Sequence, residues 1–194
     1  MKNEIKNIVT KEFKNRKYDT SSLMQRGVGD VIETNISQFL LNYKSDFLVE
    51  KASSKRSVED VKIKKNGNVY IVDVKTHNVD SEFSMPNLIS IDRVRKNVIP
   101  NSYIVYIFVD YKTTDNITEI TDINVFYIED LSWDILTISN LGKGQLQIKN
   151  ANKQIKTTTI GRDEWMKTLK ENVLVYYDKL IKKIEDVYKK EWSE

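Results

Sequence analysis

The segment Ser57–Asn78, SVEDVKIKKNGNVYIVDVKTHN, holds residues whose types and spacing suit chemistry. Asn66-Gly67 separates two β-rich runs, and this dipeptide is the strongest short-range signal for a tight β-hairpin. With these two residues in the turn, Asp60 and Asp73 face each other directly across the two strands. Facing residues point to the same side of a sheet, where two like charges destabilise the pairing unless something compensates. A bound divalent cation would compensate the two aspartates.

Lys75 completes this group. Side chains alternate along a strand, so Asp73 and Lys75 share one face while Val72 and Val74 point to the other. Two carboxylates and an amine on one face suit a hard cation bound through oxygen, and the Mg²⁺-assisted hydrolysis of a phosphodiester. The lysine would orient or help deprotonate the attacking water and stabilise negative charge on the phosphate. The alternative is that Asp73 and Lys75 are ordinary polar residues of a half-exposed strand, paired with their neighbours.

These residues resemble the PD-(D/E)xK nuclease superfamily, and within it the type II restriction endonucleases. The family pattern is an acid at the start of one strand and, on the next strand, an acidic residue, any residue and lysine. Asp60 matches the first acid, and Asp73-Val74-Lys75 matches the tripeptide. The proline that precedes the first acid in the family's namesake pattern is absent here, which leaves Glu59 as a competing candidate. Strand alternation favours Asp60, because Glu59 would face the opposite side.

The helix before the hairpin adds a fourth acid. Apolar residues recur at spacings of three and four over Gln25–Tyr43, which predicts a helix. Many members of the superfamily carry a glutamate there, and Glu33 is the matching position. The resemblance is close over Gln25–Thr76 and architectural beyond it. It implies Mg²⁺ as the cofactor, with Mn²⁺ able to substitute, and products with 5′-phosphate and 3′-hydroxyl ends. The catalytic set that it implies is Asp60, Asp73, Lys75 and Glu33, with Asp60 and Asp73 as the metal ligands.

Other polar residues are candidates for contacts with DNA. If residues 142–150 are extended, Gln145, Gln147 and Lys149 project to one face, where they can pair with base edges or phosphates. The alternative is an edge strand with a polar face. His77 is a secondary candidate, because a lone histidine after a strand is more often a structural hydrogen-bonding residue or an exposed one. A solvated surface is the alternative for the other basic candidates. The full set of candidates is Lys55, Arg56, His77, Asn78, Arg93, Lys143, Gln145, Gln147 and Lys149.

The remaining elements follow from periodicity and length. Tyr103–Tyr111 is almost continuously apolar, as expected of a central strand covered on both faces. The amphipathic pattern of Arg162–Trp192 predicts a helix of roughly 40–45 Å. Shorter predicted elements are a helix at Pro86–Asn97 and strands at Asp122–Ile128 and Gln154–Ile160. The fold class is therefore α/β or α+β, with a central mixed β-sheet flanked by helices, and the resemblance implies a restriction-endonuclease-like core.

Composition narrows the function classes. The chain has 194 residues, 40% of them hydrophobic and 30% charged, which excludes a wholly disordered chain. The absence of cysteine excludes a thiolate nucleophile, and the single histidine excludes a zinc site with two or more imidazoles. A net charge of +3 permits DNA binding but falls short of a strongly basic binder. No apolar run is long enough to cross a membrane, and Met1–Thr10 contains no apolar signal core, so we expect a cytoplasmic protein with no membrane partner.

We expect a single nuclease domain over residues 1–194, with a catalytic core at about 25–130, a DNA-recognition segment at 131–160 and the C-terminal helix at 162–192. The predicted function is a Mg²⁺-dependent, sequence-specific double-stranded DNA endonuclease of the type II restriction kind, in a bacterial or archaeal cell. Cutting both strands of a palindrome favours a homodimer. A protective DNA methyltransferase is implied by the family alone. The alternatives are another nuclease of the superfamily, such as a junction resolvase, a repair nuclease or a transposase subunit, and a non-catalytic DNA-binding or protein-interaction domain with a structural cation site.

Overall fold

The computed structural model describes residues 1–23, 25–44, 46–51, 60–81, 86–141, 144–149 and 155–189. Its helices are α1 (Lys2–Phe13), α2 (Gln25–Asn42), α3 (Ile91–Asn97) and α4 (Arg162–Lys183). Its strands are β1 (Lys17–Asp19), β2 (Leu48–Lys51), β3 (Val61–Lys65), β4 (Asn68–Asn78), β5 (Asn87–Ser90), β6 (Ser102–Thr114), β7 (Ile117–Tyr127), β8 (Leu136–Ser139) and β9 (Gln145–Ile148). A 3₁₀ turn at Ile128–Asp130 follows β7, and a π-helical turn at Ile184–Tyr188 extends α4. The predicted fold class, a mixed sheet flanked by helices with a long C-terminal helix, is confirmed.

The hairpin of β3 and β4 forms as the sequence predicts. Asn66 and Gly67 have φ angles of 50° and 75°, so both turn residues adopt the left-handed conformation that a type I′ turn requires. β3 pairs antiparallel with β4 in five residue pairs, which run from the turn to Val61 opposite Val72. The expected register is confirmed over this ladder, which fixes the side chains of β4 that share a face. The ladder ends before the expected direct pair of Asp60 with Asp73, and the backbone N–H of Asp60 donates to Val72 instead.

β4 lies inside a six-stranded mixed sheet with the strand order β1-β7-β6-β4-β3-β2. β4 and β6 are parallel, and the other neighbouring strands are antiparallel. The parallel register sets Asp73 beside Tyr106, Lys75 beside Phe108 and His77 beside Asp110. Residues 104–109 of β6 are all buried, as predicted for a central strand, although β6 is longer than the predicted segment. β7 also begins earlier than the predicted strand at Asp122.

Two layers cover this sheet. On one face, α1 and α2 pack on the branched aliphatic side chains of the central strands, of which Val72 is one. The other face packs on a three-stranded antiparallel sheet, β5-β9-β8, and on the first turns of α4, where Tyr106 and Trp165 are fully buried. Strand alternation puts Asp73 and Lys75 on this second face, beside their partners in β6.

One predicted helix is wrong in its first half. The sequence pattern predicts a helix over Pro86–Asn97, but Asn87–Ser90 is a strand that pairs antiparallel with β9. Its apolar pair, Leu88 and Ile89, is buried in the core under the second sheet. Only Ile91–Asn97 is helical. A partner strand more than fifty residues away in the sequence overrides the local preference of this segment.

The predicted strand at Gln154–Ile160 is also wrong over its described part. Residues 155–160 form one isolated bridge, between Thr157 and Leu131, and no regular strand. Gln154 lies outside the described residues, as does the predicted helix end at Trp192. Among the helices that the structure describes, none is both long and apolar enough to cross a membrane.

Candidate active site

The centre of the site is an ion pair on β4. The Nζ atom of Lys75 lies 2.6 Å from Oδ2 of Asp73, and the Asp73 residue is only 7% exposed. One residue separates them on the strand, so their side chains lie on the same face of the sheet. The structure therefore brings together the two members of the D-x-K tripeptide at a nearly buried position.

Asp60 lies next to this pair, just before β3 begins. Its backbone N–H donates to the carbonyl of Val72 at 2.9 Å, and its Oδ2 accepts the N–H of Val74 at 2.7 Å. The carboxylate of Asp60 thus accepts an N–H group of β4 in place of a backbone carbonyl of β3, just beyond the pair of Val61 with Val72. This hydrogen bond holds the carboxylate beside the backbone of Asp73. The competing candidate Glu59 lies outside the described residues.

Glu33 approaches β4 from α2. Its Oε1 accepts a hydrogen bond from the hydroxyl of Thr76 at 3.1 Å. The close approach depends on Gly29, one turn earlier in the helix, because a Cβ atom there would lie 2.7 Å from Oγ1 of Thr76. The roles of Thr76 and Gly29 were not predicted. The only signal was the pair of glycines at the start of α2, Gly27 and Gly29, since glycine inside a helix often marks a close contact.

The acids of the site influence one another. Burial raises the pKa of Asp73 to about 7, the charge of Lys75 opposes this rise, and Asp60 and Glu33 add to it. Burial likewise raises the pKa of Glu33, which Lys75 lowers and Asp60 raises. Burial and the charge of Asp73 raise the pKa of neighbouring Tyr106 well above its usual range. Three carboxylates and one amine therefore form an electrostatically coupled group with an excess of negative charge.

The donor chemistry of this group fits a hard divalent cation. Asp60 and Asp73 offer carboxylate oxygens, the ligands that Mg²⁺ prefers in proteins. A cation beside Asp73 would offset the burial and the like charges that raise its pKa. Within the ranges that the structure describes, no three side chains of aspartate, glutamate, histidine or cysteine are grouped closely enough to hold a metal. The chain would supply two ligands, and water would complete the coordination shell, as is usual for Mg²⁺.

His77 and Asn78 lie at the end of β4, on the continuation of the site. Nδ1 of His77 lies 3.0 Å from Oδ1 of Asp110, its neighbour in β6. The side chain of Asn78 accepts the backbone N–H of Asp80 at 3.0 Å and so caps the turn that follows. His77 thus lies two positions beyond Lys75 on the same face of the sheet, close enough to belong to the same cleft.

The residues of the expected recognition strand differ in how deeply they are buried. β9 is the central strand of its sheet, between β5 and β8, so the alternative of an edge strand is wrong. The aliphatic residues at 146 and 148 are buried, as expected. Gln147 is also buried, and its Nε2 donates to Oδ1 of Asn87 on β5. Gln145 is half-buried, whereas Lys149 is exposed and donates to the carbonyl of Asp134 at 3.1 Å.

The other candidates for DNA contacts are dispersed. Arg93 is exposed on α3, which begins directly after β5. Lys55, Arg56 and Lys143 lie outside the described residues. The structure therefore gathers Asp60, Asp73, Lys75 and His77 at one end of β4, and Glu33 reaches the same end through Thr76 from the face that α2 covers. The other predicted DNA-contacting residues lie on several elements.

Comparisons with known proteins agree with this fold. No family model matches the chain, and no curated protein matches its sequence. Among solved structures, NlaIV restriction endonuclease is similar, with a TM-score of 0.59 and 13% sequence identity. The alignment covers 99% of this chain and 89% of that chain. The chain therefore has a fold similar to that of a restriction endonuclease.

Proposed function

We propose that this protein is a Mg²⁺-dependent endonuclease that cuts double-stranded DNA at a specific sequence, in the manner of a type II restriction enzyme. The observation that carries the proposal is the ion pair of Lys75 with buried Asp73, beside Asp60 on the strand before it. The fold similarity to NlaIV restriction endonuclease supports DNA as the substrate.

Asp60 and Asp73 would hold the Mg²⁺ ion, and Mn²⁺, which also prefers oxygen ligands, would substitute. The ion supplies a Lewis acid for the phosphodiester when it is bound. Asp73 is suited to this role because it is buried and carries a raised pKa, so an adjacent positive charge is strongly favourable. Asp60 is suited because its hydrogen bond from Val74 fixes the direction of its carboxylate.

Lys75 would act on the reacting atoms, and Glu33 would hold Lys75 in position. The amine of Lys75 would orient the attacking water and stabilise the negative charge that develops on the phosphate. Glu33, anchored by Thr76, would complete the acidic cluster and hold Lys75 in place through its charge. Hydrolysis in this geometry would leave 5′-phosphate and 3′-hydroxyl ends.

The DNA would lie across the end of β4. His77 and Asn78 would contact the backbone near the cut, and Arg93, Gln145 and Lys149 would contact the duplex from the second sheet and α3. We keep Lys55, Arg56, Lys143 and Gln147 in the proposed set. Gln147 requires that its hydrogen bond to Asn87 be exchanged for one to a base edge.

A homodimer is part of the proposal, because one active site cuts one strand. The second half of α4 supports it. Leu174, Tyr177 and Ile181 of α4, with Ile184 at the start of the π-helical turn, are exposed and recur at spacings of three and four, the spacing of a helix-pairing seam. Leu174 is 65% exposed and Ile181 is 51% exposed, so a second copy of the chain would bury large apolar side chains here. Sedimentation of wild type as a dimer, and of Ile181→Lys as a monomer, would support this interface; a monomer on cognate DNA would overturn the dimer.

The test of the function is digestion of unmethylated plasmid and phage DNA by purified protein with Mg²⁺, beside a chelated control and the Asp73→Ala variant. We expect discrete fragments from the wild type with Mg²⁺ alone, and mapping of their ends gives the recognition sequence. Protection of a methylated copy of the site would support a partner methyltransferase. No cleavage of unmodified, methylated or branched DNA would overturn the nuclease proposal.

One observation favours a second candidate function. Lys75 already neutralises Asp73 at 2.6 Å, as suits an acid–amine pair with a structural role. A non-catalytic DNA-binding domain would bind DNA tightly with Mg²⁺ and leave every phosphodiester bond intact. A superfamily nuclease with another substrate shape, such as a junction resolvase, would cut only branched DNA in the same digestion.

A further inference from the structure

A cavity of about 520 Å³ opens beside the candidate active site. Lys75 forms part of its wall, so the cavity is continuous with the site rather than separate from it. Its volume lies within the range of about 300–1,000 Å³ that is typical of sites for small organic groups. The catalytic scheme uses Lys75 and His77 on the wall of this cavity but assigns no part of the substrate to the space itself.

The floor of the cavity is built from rows of residues across three adjacent strands. In the first row, Lys75 of β4 lies beside Phe108 of β6, and Phe108 lies beside Asn124 of β7. In the next row, His77, Asp110 and Asp122 occupy the corresponding positions. The opposite wall comes from the second sheet and the segments around it, including Pro86, Ile148 and Ile155. A slot between a sheet and an apolar wall suits a flat group.

The polar end of the slot has a defined chemistry. Asp110 and Asp122 are direct cross-strand partners, and the Nδ1 atom of His77 lies 3.0 Å from Asp110. Asp122 also accepts the amide of Asn124 at 2.8 Å. Lys14 lies 3.8 Å from Asp122, and Lys6 donates to Oδ1 of Asn124 at 2.9 Å, so the charge of this end is partly balanced. The two carboxylates accept hydrogen bonds and therefore favour a ligand that donates N–H groups.

The other polar and apolar features agree with this preference. Phe108 and Phe126 line the same cavity with their ring centroids 6.0 Å apart, and they give it an aromatic side. Aromatic side chains contribute to the binding of nucleobases by stacking, because every base presents a flat π-face. The combination of aromatic rings and paired acceptors is the chemistry that recognises an amino-bearing nucleobase.

We propose that this cavity takes the nucleobase of the nucleotide whose phosphate lies at Asp73 and Lys75, and that it selects a base with an exocyclic amino group. The proposal rests on the proposed function, since it assumes that a phosphate occupies the active site. His77 is two residues beyond Lys75, which at about 3.3 Å per residue places the acceptors roughly 6.6 Å farther along β4. The base must leave its stack in the duplex to enter the slot.

The first test uses the four deoxynucleoside 5′-monophosphates as probes, with binding to the full chain and Mg²⁺ followed by ligand-observed NMR. We expect the adenine, cytosine and guanine nucleotides, which carry amino groups, to bind at least about fivefold more tightly than the thymine nucleotide. Asp110→Asn and Asp122→Asn each should remove this preference without loss of the fold in circular dichroism. The matched control is Asp134→Asn, an exposed aspartate outside the cavity, and it should keep the preference.

The second test places the fluorescent base 2-aminopurine at each position of a duplex that carries the mapped site. Fluorescence should rise severalfold at the nucleotide that carries the cut phosphate and stay low elsewhere. Equal binding of all four nucleotides, no binding, or no fluorescence rise at the cut position would overturn the cavity proposal even if the protein cuts DNA. A preference for amino-bearing nucleotides in a protein that cuts no DNA would instead overturn the nuclease function and retain the cavity as a nucleotide site.

Discussion

The two halves of β4 differ in what holds them. Residues 68–72 are hydrogen-bonded to β3 on one side and, from Val69 onward, to β6 on the other. Residues 73–78 pair with β6 alone among the described strands, and the carboxylate of Asp60 takes the N–H of Val74 on the other side. Beyond the last described pair with β3, the Asp60 side chain accepts one backbone N–H of β4, and there the strand carries its polar residues.

This difference explains how acids can be placed at the centre of a sheet. In the first half, both neighbours fix the strand, and the buried residues are apolar. In the second half, the carboxylate of Asp60 accepts the N–H of Val74, and Glu33 of α2 accepts the hydroxyl of Thr76. Asp73, Lys75 and Glu33 lie beyond the last described pair of β3 with β4, where these charged groups have one another as partners.

The largest expected effect is on catalysis by the second half of β4, residues 73–78. Lys75→Ala removes the amine that we propose to orient water and stabilise the phosphate, so cleavage of plasmid DNA should slow by at least about 100-fold. The matched control is Lys64→Ala on β3, an exposed lysine paired with Glu50, which should change the rate less than about twofold. Equal rates for Lys75→Ala and wild type would show that the second half has no catalytic amine.

The pH dependence of stability should single out Asp73. Its pKa is about 7 in the folded protein and about 3.9 in an unfolded chain, so between these values the folded state binds the extra proton. The free energy of unfolding of the metal-free protein should therefore fall as pH rises from about 4 to 7, by on the order of 2–4 kcal/mol. Denaturant unfolding at pH 5 and pH 8 measures this fall, and Asp73→Asn should show a smaller one. An equal pH dependence of stability in the variant would contradict the raised pKa of Asp73.

Two glycines of α2 test the contact between this helix and Thr76 in the second half of β4. Gly29→Ala forces a Cβ against Thr76, whereas Gly27→Ala meets only ordinary contacts, the nearest at 3.8 Å. Both changes favour the helix by up to about 1 kcal/mol. We expect Gly27→Ala to raise the free energy of unfolding and Gly29→Ala to lower it by roughly 1 kcal/mol. Thr76→Ala added to Gly29→Ala should relieve the clash; if the double variant is no more stable, the contact is not the cause.

The smallest effect is expected at the turn of the first half. Gly67 has a φ angle of 75°, and nothing lies within 4 Å of a Cβ built there, so Gly67→Ala should cost about 1 kcal/mol through the backbone alone. Gly161→Ala, at the N-cap of α4 with ordinary φ and equally open space, should cost no backbone strain and lose only the N-cap preference of glycine over alanine. Thermal unfolding measures both, and DNA cleavage per folded molecule should stay unchanged. A loss of activity in Gly67→Ala would mean that the turn, and not only the second half, positions the site.

Much of this architecture could be predicted because it depends on local pattern. Asn66-Gly67 predicted the turn, the turn predicted the register of β3 with β4, and alternation placed Asp73 and Lys75 on one face. The uninterrupted apolar run of β6 predicted a central strand. Each of these features is decided by residues close in the sequence, so the physical cause is visible in the sequence itself.

Other features depended on partners that are distant in the sequence. Asn87–Ser90 is a strand because β9 pairs with it, and Gln147 is buried because β9 lies between two strands. The amphipathic pattern predicted the long helix but not that its second half would be exposed, since an apolar stripe does not identify what covers it.

The sequence by itself determined the hairpin, the register of its ladder, and the shared face of Asp73 and Lys75, because the turn geometry and strand alternation fix these features locally. Only the tertiary structure decided that Asp60 accepts the N–H of Val74, that Thr76 binds Glu33, and that β4, β6 and β7 line a cavity with the second sheet. The reason is physical: burial, desolvation and contacts between distant elements exist only once the chain has packed, and they set the charge and shape of the site.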